Sequence, residues 1–345
     1  MKTLRQHLSE NFAGRSTVFQ AAMAVALAAS AAGVFAADVA PAEPLPVAIV
    51  NTLNKISSGP HAGYRANHAK GVLVEGNFMP ASGAKSLSTA AHFATSVPVV
   101  VRFSNGTGFQ AMADADSHAS PHGMAIRFKL PDGTSTDIVS ISANSFPVAT
   151  PEEFLGLLKA VSTSGPTAAK PSPIEQFMES HPVALKWATT PRPAPASFGT
   201  LAFFGVNSFK FTNAKGEPQY ARYQIIPVTS EPTLNDAESA KAMPNYLMDE
   251  LPTRIAKAPV KFRLVAQLAQ ADDQVNDATI AWPASRKLVE LGVISLTSTA
   301  SEQVKAQKAL LFNPVSLTAG IEPSADPILL ARFPAYAVSF GQRAP

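Results

Sequence analysis

Three short segments carry residue types that can do chemistry if brought together. They are Arg65-Ala-Asn-His68-Ala-Lys-Gly71, Val101-Arg102-Phe103-Ser104, and Arg332-Phe-Pro-Ala-Tyr336 with Arg343 beyond it. On a helix Arg332 and Tyr336, four apart, share a face. A guanidinium beside a phenol favours the phenolate, and a phenolate is a hard anionic ligand that suits ferric iron. Arg343 is near enough in sequence to reinforce the effect. Taken alone, the pair reads more simply as an Arg–Tyr hydrogen bond at a helix end. His68 has no second ligand at metal spacing. It is a candidate general acid–base group, with Arg65 binding an anionic part of a ligand. A hydrogen-bonded structural histidine is an equal reading of that segment by itself. Alternation puts Arg102 and Ser104 on one face of a strand. There Ser104 can hold one nitrogen of His68, and Arg102 can take a carboxylate. A half-buried strand with a polar face is the simpler reading of that segment alone. His92, His118, His122 and His181 lack paired ligand spacing and read as surface or structural residues.

The elements that must position these residues are legible in outline. Runs bounded by Gly, Pro, Asn and Asp predict strands over 71–78, 97–104, 123–130 and 136–141. Thr150 caps a helix that starts at Pro151, and 164–174 is a loop. A second strand-rich block covers 203–227 and 258–269, with a hairpin at 213–216. Residues 235–257 are helical except at Pro244 and Pro252, and 300–311 are helical. Residues 326–337 form a helix that starts near Pro327 and is interrupted at Pro334. Strands, helix, strands, helices is the order of an antiparallel, β-rich α+β domain.

The chain has 345 residues, 46% hydrophobic and 15% charged, enough for a sizeable core. A net charge of +3 with scattered Lys and Arg is too small to imply a nucleic-acid partner, and none is expected. The absence of cysteine excludes disulfides, Cys-ligated zinc, iron–sulfur clusters and thiolate-held metal. Residues 1–37 join a basic start to an Ala-rich apolar run with small residues before Asp38, the pattern of a signal peptide cleaved after Ala36 or Ala37. The expected location is periplasmic or secreted, with a membrane contact only if this segment stays uncleaved. Residues 38–48 read as a Pro/Ala linker and 49–345 as the functional domain.

Together the segments resemble the catalase family, in order over nearly all of the chain after the leader. Arg65-x-x-His68-Ala-Lys-Gly71 is similar to the family's distal-histidine motif, and residues 101–104 to the strand that supports it. Residues 207–217 look like the second half of the barrel. Asn313-Pro314 and the run from Gly320 to Asp326 match the approach to the proximal helix. Arg332-x-x-x-Tyr336 matches the haem-ligand motif, with Arg343 in register. The resemblance implies an antiparallel β-barrel with flanking helices, without the C-terminal helical domain of long members, around a haem b. It implies Tyr336 as the iron ligand, His68 as the catalytic base with Ser104 behind it, and Arg65 and Arg102 on the haem propionates. Arg332 would support the phenolate, and Phe154 would stack near the haem. A monomer or dimer is expected.

Several positions depart from the family pattern. The family's distal Asn falls on Ile141, with Ser142 and Asn144 close but out of register. Asn67 stands where a Val is usual and is expected to hydrogen-bond His68. Pro147 replaces the second aromatic after Phe146, and His122 replaces an Arg. Replacing an amide by Ile141 removes a donor that would orient a second peroxide, at a cost of about 1–3 kcal/mol. The expected function is therefore a peroxidase that reduces hydrogen peroxide or organic hydroperoxides with a small-molecule electron donor, with weak or no catalase activity. The alternatives are a true catalase, a hydroperoxide isomerase or dehydratase of the allene-oxide-synthase type, or a non-catalytic exported barrel carrying haem or lipid.

Overall fold

The structure is a computed structural model and describes residues 42–343. The expected leader, and residues 38–41 of the expected linker, lie outside the described residues. The strands are β1 (Gly71–Pro80), β2 (Val97–Ser104), β3 (Gly123–Lys129), β4 (Ser135–Ile141), β5 (Phe203–Phe204), β6 (Phe209–Thr212), β7 (Pro218–Pro227), β8 (Val260–Leu268), β9 (Leu288–Thr299) and β10 (Ile321–Pro323). Neighbours run β7-β5-β4-β3-β2-β1-β9-β8, and β8 pairs back to β7, which closes an antiparallel barrel of eight strands. β6 and β10 extend it from β7.

Alternation decides what each strand does. In β2 the odd positions Val97, Val99, Val101 and Phe103 are at most 2% exposed and belong to the main core. Phe78, Ile126, Phe128, Phe262 and Ile294 from neighbouring strands fill the same interior. The even positions Arg102 and Ser104 therefore point away from the barrel core. Gly76 lies at a register shift between β1 and β9, where an added Cβ would run into Ser295 O. Only glycine lets the two strands approach so closely.

The helices cover the outside. They are α1 (Leu45–Ile56), α2 (Ala84–Leu87), α3 (Pro151–Ser162), α4 (Pro173–Ser180), α5 (Pro182–Thr189), α6 (Asp236–Lys241), α7 (Tyr246–Lys257), α8 (Gln303–Ala309) and α9 (Pro327–Arg343). Thr150 Oγ1 accepts from Glu153 N at 3.2 Å and caps α3 as expected. Asp326 Oδ1 accepts from Ile328 N at 2.9 Å and starts α9. α1 packs on α3 and α9. Asp137 takes two bonds from Arg127 at 2.8 and 2.7 Å and one from Asn313 N at 2.8 Å. That ties the segment before β10 to the barrel wall. Among the described residues no separate helical domain accompanies the barrel, and no helix is long and apolar enough to cross a membrane.

Several expectations are corrected. α1 begins at Leu45, so residues 45–48 are helix and not linker, with Ala48 buried. α9 runs through Pro334 without a break. Pro334 leaves the Leu330 carbonyl without its helical donor, but Leu330 is 50% exposed and solvent reaches that turn. α7 likewise contains Pro252, while Pro244 does separate α6 from α7. β9 is missing from the expected strands. It has no clean alternation, because its pairing with β8 shifts register between Leu264 and Val265.

His92 sits against one end of the core, 1% exposed, with ring centroids 4.2 Å from Phe93 and 4.9 Å from Phe128. Its Nδ1 has no partner among the described residues, and burial pushes its pKa from 6.5 down to about 3. As pH falls from 6.5 toward 3, the unfolded chain takes up a proton here that the native chain refuses. Native stability is therefore lost progressively through that window and is intact above it. Between about pH 7 and about pH 5, His92→Leu is expected to lose about 2 kcal/mol less stability than the native chain, read by urea unfolding. Equal losses in both proteins would remove His92 from the account.

Candidate active site

The loop before β1 folds back over the end of β2. Ala69 N donates to Thr107 O at 2.9 Å, and Asn105 N donates to Lys70 O at 3.1 Å. Arg102 Nη2 donates to Ala69 O at 3.0 Å. The Lys70 ammonium lies 2.6 Å from the buried Asp114 carboxylate. These bonds hold His68 in the left-handed region at φ 54, a conformation that costs a residue with a side chain about 1–3 kcal/mol. The result is a contact of 3.1 Å between His68 Nδ1 and Ser104 Oγ. Ser104 pairs across with Gly71 and Gly123. A Cβ at Gly123 would lie 2.8 Å from both His68 Nδ1 and Ser104 Oγ, so the strand beside them is bare.

His68 is half-buried at the cavity wall, and its pKa falls to about 3. Burial is the main cause, followed by the charges of Arg102, Arg332, His122 and Arg65. The imidazole is therefore neutral near pH 7 and able to accept a proton.

α9 supplies the opposite wall. Arg332 Nε donates to Tyr336 Oη at 3.1 Å, and Arg332 Nη1 donates to Asn207 Oδ1 at 2.7 Å. Asn207 Nδ2 donates to Asp326 Oδ2 at 2.8 Å, so the carboxylate that caps α9 also orients the arginine. The helical spacing of Arg332 and Tyr336 thus brings the guanidinium to the phenol oxygen, as expected.

A third group is cationic. Arg65 Nη2 and Arg343 Nη2 both donate to Leu310 O at 2.8 Å. Arg102 Nε donates to Gln307 Oε1 at 2.8 Å. Burial pushes the pKa of all three guanidiniums down, and mutual repulsion adds to it for Arg65 and Arg102. Arg343 Nε is buried with no partner among the described residues. Arg343 therefore belongs with Arg65 and Arg102, and the expectation that it reinforces Tyr336 is corrected, since it is Arg332 that bonds the phenol.

These groups line one cavity between the outer barrel wall and α1, α3 and α9, ≈ 1410 Å³ of space including its open mouth. His68, Ser104, Arg65, Arg102, Arg332 and Tyr336 all reach it. So do Phe154 and Phe146, whose ring centroids are 5.2 Å apart. The remaining wall is mostly apolar, including Ile141. The cavity suits an apolar ligand that carries anionic groups toward the three arginines. Among the described residues no His, Cys, Asp or Glu cluster could hold a bare metal ion.

Ile49, Val50 and Leu53 of α1 also line the cavity, a contribution that sequence reasoning missed. The signal was present. Pro46 falls in the first turn of a helix, and Ile49, Val50 and Leu53 follow it at helical spacing. Asn67 lines the cavity too but does not bond His68, whose Nδ1 is taken by Ser104. His122 is 3% exposed, edge-on to Phe198, with its pKa lowered to about 4 chiefly by burial. It is a core histidine.

Comparison with known proteins agrees with this arrangement. A family model described as catalase matches residues 60–344. A catalase-related peroxidase of Mycolicibacterium paratuberculosis is 34% identical over 287 residues, covering 82% of this chain and 90% of that one. A catalase-related peroxidase of Synechococcus elongatus is 33% identical, covering 83% of this chain and 85% of that one. A fungal catalase structure superposes with a TM-score of 0.73 at 24% identity, covering 82% of this chain. The chain spans 59% of that catalase's length.

Gly123→Ala is expected to cost about 1–3 kcal/mol through overpacking, read by thermal or urea unfolding. It should also separate Ser104 from His68, which nitrogen NMR of the imidazole would detect. Unchanged stability and unchanged ring resonances would show slack that the 2.8 Å approaches deny.

Proposed function

The chain belongs to the catalase family, and from that premise we propose that it is a haem b peroxidase. It reduces hydrogen peroxide or organic hydroperoxides with electrons from a small-molecule donor, and has weak or no catalase activity. The observation that carries this reading is the wall facing the cavity from β4. That strand presents Val139, Ile141 and a Ser140 hydroxyl committed to Met124 O, while Ser142 and Asn144 do not line the space. Ser142 Oγ is instead engaged by His122 N at 2.9 Å.

The residues fit haem b on grounds of chemistry. Arg65, Arg102 and Arg343 lack a carboxylate partner among the described residues, and the unpaired Arg343 Nε adds a donor for propionate oxygens. Tyr336, held by Arg332, offers the iron an anionic oxygen, and Phe154 adds an aromatic face to the cavity. Haem, when bound, supplies the iron redox chemistry that breaks the O–O bond. His68 supplies the proton chemistry. With Nδ1–H donated to Ser104 Oγ, Nε2 is free to take the hydroperoxide proton and return it to the departing oxygen. Such acid–base assistance contributes about 10²–10⁴-fold. Two electrons and two protons then convert ROOH to ROH and water, the electrons coming from the external donor. The apolar side chains Ile49, Val50, Leu53 and Ile141 favour an alkyl substituent on the peroxide.

We further read residues 1–37 as an export signal, on their composition alone. Mass spectrometry of the exported protein is expected to find Ala37 or Asp38 at the N terminus, and a retained Met1 would oppose it.

The haem-loaded protein, given hydrogen peroxide and a chromogenic donor, is expected to oxidise donor faster than it releases oxygen. Oxygen release far above donor oxidation would return the reading to a true catalase. Ile141→Asn is expected to raise oxygen release relative to donor oxidation, because it restores an amide to that wall. Tyr336→Phe is expected to abolish the ferric tyrosinate spectrum, and an unchanged spectrum would remove Tyr336 as the ligand.

A further inference from the structure

The cavity's uncharged polar side chains, apart from His68 and Tyr336, are Asn67, Ser104, Ser140, Asn207 and Ser339. Four of them are committed. Ser104 contacts His68 Nδ1, and Ser140 Oγ donates to Met124 O at 2.7 Å. Asn207 bridges Arg332 and Asp326, and Ser339 Oγ accepts from Ala66 N at 3.2 Å. The Asn67 amide has no hydrogen-bond partner among the described residues, and it stands next to the base His68 in sequence. Asn67 is half-buried, so its unpartnered amide stays open to a small polar ligand entering the cavity. The left-handed turn at His68 fixes the backbone from which it projects.

We propose that Asn67 is the peroxide-positioning amide of this site, donating from Nδ2 to a peroxide oxygen while His68 takes the proton. This rests on the reading of the cavity as a haem peroxidase site. It adds a specificity argument to that reading. The amide sits on the same short loop as the base, whereas β4 offers Val139, Ile141 and a Ser140 hydroxyl already donated to Met124 O. One peroxide oxygen can be held beside His68, while the β4 side stays apolar and accepts the substituent of an alkyl hydroperoxide. The same placement leaves a second hydrogen peroxide without a donor on the β4 side.

Asn67→Val keeps the approximate volume and removes the donor. In the haem-loaded protein it is expected to weaken cyanide binding, followed by the ferric haem spectrum, by about five- to tenfold. A similar loss is expected in kcat/KM for hydrogen peroxide. The thermal midpoint should stay level or rise, because no bond within the protein is lost. Asn67→Asp, which keeps the shape but not the donor, should weaken cyanide at least as much. Equal cyanide affinity in native protein and Asn67→Val overturns the inference and leaves the haem reading standing. A fall in thermal midpoint with unchanged cyanide affinity makes Asn67 structural and also overturns it. A native protein that gives no ferric haem spectrum overturns both readings together.

Discussion

Arg65, Arg102 and Arg343 face one cavity with no carboxylate among them, and much of the site follows from that imbalance. Buried guanidiniums repel one another unless an anion joins them. Here the backbone supplies partial compensation through Leu310 O and Ala69 O, and Gln307 supplies a neutral acceptor. Neutral acceptors satisfy hydrogen bonds without cancelling charge. The protein is thus built to be completed by a ligand with anionic groups. The same field reaches His68 and, added to burial, keeps its imidazole a neutral base.

The barrel makes this arrangement possible by giving its two faces different tasks. Phe103 packs inside with Phe198, Phe203 and Phe262, whereas Arg102 and Ser104 on either side of it point to the cavity. A rigid strand carries both, so the hydrophobic core fixes the positions of the polar groups. On the other wall α9 carries Arg332, Tyr336 and Arg343 at helical spacing. Its capping carboxylate, Asp326, is also the end of the chain of bonds that runs through Asn207 to Arg332. The start of the helix and the arginine that holds the phenol therefore share one carboxylate.

On the proposed function, the two walls would treat peroxide differently. The loop that holds His68 is strained at φ 54 and pinned by backbone bonds, so the base is positioned before any ligand arrives. β4 contributes apolar contact at Val139 and Ile141, and its Ser140 hydroxyl is spent on Met124 O. Preorganisation of one donor–acceptor group, with no second on β4, is the physical basis on which the proposed function would split a peroxide without orienting another beside it.

The sequence by itself determined most strands, the cap of α3, the start of α9 and the identity of the reactive groups, because period-two alternation, Thr150, Pro327 and the Arg332–Tyr336 spacing are local signals. It also showed the loss of the expected amide at Ile141. It did not show that α9 passes through Pro334, since tolerance of a missing donor depends on the exposure of Leu330. It did not reveal β9, whose alternation is broken by a register shift set with its neighbour. Tertiary structure alone decided that Arg343 joins Arg65 at Leu310 O, that α1 closes the cavity, and that the Asn67 amide is left without a partner among the described residues. Each of these depends on which distant segments meet, and no local spacing encodes that.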